Sequence, residues 1–183
     1  MNLPNFLSLS RILLVHIHVA LMYFGLITPF WSAIMPIIII AVTDKLDGEI
    51  ARRFGQKTPI GDVLDVVGDR ITELVYWIYF TSTGAIPYII PALFVSRGVL
   101  VDGFVGFARS KGYNRMSFTN KGFFHFITAS DFGRGASAIS KLLAFMALSY
   151  GATIGLAISW LALSINLIRA IPVFYKASSE FEF

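Results

Sequence analysis

Residues 44–69 read DKLDGEIARRFGQKTPIGDVLDVVGD, a charged stretch with four aspartates, Asp44, Asp47, Asp65 and Asp69, set between long apolar segments. Acids at the edge of hydrocarbon are costly unless something pairs with them. Asp44 and Asp47 stand three residues apart and Asp65 and Asp69 four apart, so on helices each pair shares a face. The break at Phe54–Pro59, with Gly55 and Pro59, separates two helices and makes them antiparallel neighbours. The two acidic faces then converge at one mouth.

The surrounding chain defines the class. Of its 183 residues 56% are hydrophobic and 14% charged, with a mean hydropathy of +0.70. A soluble globular chain is nearer a quarter charged. The expectation is an all-α integral membrane protein, a single domain over residues 1–183 with six transmembrane helices of about 20 residues each. The net charge of +4 is modest and suits topology and anionic partners, not nucleic acid. Cysteine is absent, which excludes disulfides and thiolate metal sites.

The start, MNLPNFLSLSRILL, has no basic region ahead of its apolar residues and does not read as a cleaved signal. Phe6, Leu9 and Leu13 recur at helical spacing, which predicts an N-terminal amphipathic helix in the interface, turning into the first span. The spans are expected near Ile12–Leu26, Trp31–Val42 (its helix continuing to Arg52), Ile60–Phe80, Tyr88–Phe107, Gly135–Tyr150 and Thr153–Val173. His16 and His18 in span one point to different faces and do not share a metal. Arg11, Lys45, Arg52, Arg53, Lys57, Arg109, Lys111, Arg115, Lys121, Arg134, Lys141, Arg169 and Lys176 gather on one side, and the opposite turns carry no basic residue. The positive-inside rule puts that side, both termini and the aspartates in the cytoplasm, within the cell membrane. Arg97 falls about 15 Å deep in span four at 1.5 Å per residue.

Four carboxylates at one mouth call for cations. Hard oxygen ligands favour Mg²⁺, Mn²⁺ or Ca²⁺, and four suit two metals better than one. Salt bridges to Arg52, Arg53 and Arg70 are the competing account. Gly48, Ala51 and Gly61 leave open backbone beside the acids, and Arg52 is a permanent cation suited to phosphate. Together they describe a diphosphate site. A cation transporter with an acidic ion site is the alternative from another class, but it has no need of the glycines and Arg52.

The pattern Asp44-x2-Asp47-Gly48-x2-Ala51-Arg52-x8-Gly61-x3-Asp65-x3-Asp69 resembles, without a gap, the signature of the CDP-alcohol phosphotransferases. The resemblance implies Mg²⁺ or Mn²⁺ in a two-metal site held by Asp44, Asp47, Asp65 and Asp69, with Asp69 also the general base. It implies that Gly48, Ala51, Arg52 and Gly61 line the nucleotide and diphosphate. It further implies a homodimer that takes CDP-diacylglycerol as donor and releases CMP. NLPNFLSLSRI resembles the opening of phosphatidylglycerophosphate synthases, which implies sn-glycerol 3-phosphate as acceptor. Arg109, Arg134 and Lys141 are the candidate cations for that phosphate. The segment Gly133–Ser137 departs from those enzymes' lysine pattern, with Arg134 and Ala136 in the lysine places. Asp69-Arg70 is a pair also seen in the inositol-phosphate branch. Inositol phosphate, serine and phosphatidylglycerol are therefore alternative acceptors.

Overall fold

The structure, a computed structural model, describes residues 3–40, 58–110 and 131–180, and within them every regular element is helical. The helices are α1 (Leu3–Tyr23), α2 (Pro29–Ile40), α3 (Pro59–Ser82), α4 (Ile89–Ser110), α5 (Asp131–Tyr150) and α6 (Ala152–Glu180). Helices are the expected answer for apolar segments, because every backbone polar group must be satisfied within the segment. Among the described residues the breaks fall at Gly25, Gly84 and Gly151; the first two adopt positive φ, 64° and 74°, which a side chain would resist.

Among the described residues three stretches are long and apolar enough to cross a membrane, Phe6–Tyr23, Ile89–Ala108 and Ala152–Tyr175, with Pro29–Ile40 a shorter apolar helix. The other two helices fall short of the six expected spans for a visible reason. α3 carries Asp62, Asp65, Asp69, Arg70 and Glu73 between its start and its middle turns, and α5 carries Asp131, Arg134 and Lys141. Outward-facing side chains are apolar, among them Leu13, Ile17, Val99, Ile154 and Leu161. That is the surface a bilayer solvates.

The N-terminal stretch expected as an amphipathic helix turning into the first span is continuous with that span: α1 is one unbroken helix from Leu3. Nothing between Asn5 and Tyr23 interrupts it, since neither glycine nor proline occurs there and Pro4 sits in the first turn, where its missing N–H is harmless.

The chain divides into two compact units. The first holds α1, α2, α3 and residues Phe145–Leu156. Its seam is written on α1 as Ser8, Arg11, Val15, His18 and Met22, all buried and spaced three, four, three and four apart, while Phe6, Leu9 and Leu13 face outward. This is a heptad stripe with polar residues inside. Gly68 of α3 sits against it: a Cβ there would meet the Ser8 carbonyl oxygen at 3.7 Å and the Ile12 side chain at 4.0 Å. Farther along, Tyr76 and His18 Nδ1 share a hydrogen bond at 3.0 Å. Tyr76, Trp77 and Phe80 close on Phe145 with ring centroids 5.0, 4.7 and 6.2 Å away. The α5–α6 turn is tight, because a Cβ on Gly155 would come within 2.7 Å of the Leu148 backbone.

In the second unit, Tyr88–Ala144 and Ala157–Phe183, Ala108 of α4 packs with Val173 and Ala177 of α6, and Val101, Phe104 and Val105 cover them. Ser137 of α5 donates to Asn166 Oδ1 of α6 at 2.6 Å, and Asn166 Nδ2 donates to the Ala162 carbonyl at 2.9 Å. Buried polar side chains of this kind join helices in the absence of a water-driven hydrophobic force.

Candidate active site

The site begins where α3 begins. Thr58 is extended and caps the helix, its Oγ1 accepting from Gly61 N–H at 3.1 Å, and Pro59 opens the first turn. Cap and proline together fix the helix start, satisfying an N–H that would otherwise lack a partner. From that start Asp65 and Asp69 fall one turn apart on the same face, as their spacing predicts. Their side chains are about half exposed, at 49% and 52%.

The cation that answers them comes from α1. Arg11 Nη1 donates to Asp69 Oδ1, and Arg11 Nη2 lies 3.6 Å from Asp65 Oδ1. The first is a charge-assisted hydrogen bond; the second is an ion pair beyond hydrogen-bond reach. Arg11 itself is fully buried. Sequence spacing points to Arg52, Arg53 and Arg70 as salt-bridge partners and leaves Arg11 only among the cytoplasmic-side cations. The missed signal lies in α1: Ser8, Arg11 and His18 fall on one heptad stripe, and a polar stripe on an otherwise apolar helix marks the inward face. Arg70 pairs along its own helix with Glu73 at 3.4 Å.

Arg134 and Lys141 lie seven residues apart on one face of α5, the first exposed and the second half-buried, with the Ser137–Asn166 bond between them. Arg109 is one residue beyond Ala108, near the end of α4. His16 is exposed and bonds the Ile12 carbonyl at 2.8 Å while His18 is buried, so the two histidines do face apart. Asp44, Asp47, Gly48, Ala51 and Arg52 lie outside the described residues.

The donor chemistry fits a hard divalent cation. Asp65 and Asp69 offer oxygen alone, on one helix face, half open to solvent, which is what Mg²⁺ or Mn²⁺ takes. A buried arginine behind the pair relieves part of its repulsion without closing the open side.

These features define a helical membrane protein with a paired-carboxylate site at one helix start. Residues 1–171 match the family model for CDP-alcohol phosphatidyltransferase, and the chain belongs to that family. Individual relatives carry the name CDP-diacylglycerol–glycerol-3-phosphate 3-phosphatidyltransferase. The chain is similar to those of Pseudomonas fluorescens (39% identical over 71 residues, 39% of this chain and 36% of that protein) and Aquifex aeolicus (38% over 71 residues, 39% and 38%). It is also similar to that of Escherichia coli K12 (32% over 81 residues, 44% of each). The matched stretch thus spans less than half the length of these relatives.

Proposed function

We propose that this protein transfers the phosphatidyl group of CDP-diacylglycerol to sn-glycerol 3-phosphate and releases CMP. The observation that carries this reading is the Asp65–Asp69 pair, held on one face at the start of α3 in a chain of this family. The name borne by the relatives supports the acceptor.

Asp44, Asp47, Asp65 and Asp69 would hold two Mg²⁺ or Mn²⁺ ions, which supply neutralising charge at the diphosphate and the departing CMP. Gly48, Ala51, Arg52 and Gly61 take the nucleotide and diphosphate, small residues giving room and Arg52 giving charge. Asp69 accepts the proton of the acceptor hydroxyl as its oxygen bonds to the lipid-side phosphorus. The bond from that phosphorus to the bridging oxygen breaks, and CMP departs with the electron pair. Arg109, Arg134 and Lys141 hold the acceptor's phosphate; the seven-residue spacing on α5 gives two of them a common face.

The same reading makes residues 1–183 one domain with six membrane spans, works it as a homodimer, and puts the site and both termini on the cytoplasmic side. The gathering of basic residues on that side supports the orientation. The diacylglycerol tails then stay in the bilayer while the headgroup reacts at its edge.

The test is the purified full chain in nanodiscs with CDP-diacylglycerol, Mg²⁺ or Mn²⁺, and a panel of acceptors, read by CMP release. Release with sn-glycerol 3-phosphate is expected. Release only with inositol phosphate, serine or phosphatidylglycerol would move the acceptor, and release with none would overturn the transfer reading.

A further inference from the structure

We propose that Arg11 is a positioning residue for the transfer, acting through Asp69. The inference rests on the transfer reading above and adds to it a group that the aspartate signature does not contain.

Three observations carry it. Arg11 is fully buried although both acids it serves are half exposed, so the cation is fixed in the helix seam and the acids meet the substrate side. Its guanidinium reaches Oδ1 of Asp69 and faces Oδ1 of Asp65, so one planar group spans carboxylates a turn apart. Gly68, adjacent to Asp69, packs directly on α1, with the Ser8 carbonyl 3.7 Å from where a Cβ would stand, so the two helices are in contact beside the acid.

The chemistry needs this. The terminal torsion of an aspartate is broad and roughly two-fold, so an unrestrained carboxylate presents either oxygen over a wide arc. A proton acceptor in a displacement at phosphorus must meet one hydroxyl in one orientation. A hydrogen bond from a buried guanidinium to Oδ1 sets the carboxylate plane. Arginine suits the task better than lysine, because its fork holds two directions at once. Burying a guanidinium is costly, and specificity of geometry is what such a cost can secure.

The test uses the full chain in nanodiscs, with wild-type CMP release measured first. Wild-type silence with every acceptor overturns the transfer reading and this inference together. Given an active wild type, Arg11→Met should lower kcat per folded molecule by about 100-fold, the scale of a misplaced catalytic group. The KM for CDP-diacylglycerol should stay within about threefold, since ground-state binding is not what is lost. Arg11→Lys should recover about tenfold of the lost kcat, a single charge holding one carboxylate but not two. In an Asp69→Asn background Arg11→Met should cost less than about a further twofold, because residues acting through one another are not additive. Mn²⁺ affinity, read by electron paramagnetic resonance without substrate, should stay within about threefold, and the melting profile should show a folded protein. Four results would each overturn the role: unchanged kcat in Arg11→Met, a loss matched by the unfolded fraction, a loss matched by weakened Mn²⁺ binding, or a full additional loss in the Asp69→Asn background.

Discussion

The same two helices meet twice, and the two meetings differ in kind. Arg11 faces Asp69 and His18 faces Tyr76, each pair 58 positions apart in sequence. The step between them is seven residues on both helices, about 10.5 Å at 1.5 Å per residue, so α1 and α3 run in the same direction. At the first meeting the partners are charged and the acids are half exposed. At the second everything is enclosed: His18 is 4% exposed, Tyr76 and Trp77 are at 0%, and Phe145 caps them. The contrast teaches that one seam divides its labour. The enclosed end holds the helices in register, and the open end uses that register to present acids.

If that division holds, substitutions at the two ends should move different measurements. The largest effect belongs to the open end. Asp69→Asn should lower CMP release per folded molecule at least about 1,000-fold, about 4 kcal/mol of barrier. Comparable loss of fold in that variant would erase the contrast. Trp77→Ala at the enclosed end should do the opposite, costing about 3–5 kcal/mol of stability while each folded molecule keeps its turnover. Resistance to denaturant in nanodiscs or detergent, measured beside specific activity, separates the two. Tyr76→Phe removes only the hydroxyl that His18 bonds and should cost about 1 kcal/mol. Gly68→Ala is the smallest. The added methyl finds ordinary contact distances, and alanine's helix preference over glycine, up to about 1 kcal/mol, offsets what adjustment remains. A large activity loss in Gly68→Ala would show that the acids tolerate less movement of α1 than the half-open site suggests.

Much of this was legible in the chain itself. Apolar runs and their glycine and proline breaks marked the helices, because a segment in hydrocarbon has no other way to satisfy its backbone. Helix ends were less legible. α5 already includes Asp131, four residues before the apolar span that the sequence places at Gly135, since hydropathy reports where a helix enters the apolar phase and not how far it extends. The face shared by Asp65 and Asp69 followed from spacing alone. Arg11's partnership did not, because it joins residues 58 positions apart and depends on how two helices pack. The outward Phe6, Leu9 and Leu13 drew attention as an amphipathic face, while the inward stripe beside them carried the polar information. On a bilayer-facing helix the few polar residues mark the inside, whereas on a soluble protein's helix they mark the outside.

The burial of Arg11 also bears on how the protein is made. The arginine leaves the ribosome 58 residues ahead of Asp69, roughly 3–12 s earlier at 5–20 residues per second. For that interval α1 holds a permanent charge whose α3 partners do not yet exist, and a charge left inside hydrocarbon is expensive. Arg11 stands only five residues into the apolar stretch that starts at Phe6, near enough to an edge for its long side chain to reach water while it waits. With α3 in place it lies buried in the seam. On the proposed reading, biogenesis and catalysis would meet in one side chain: the contact that joins α1 to α3 during synthesis would be the one that aims the acid afterwards.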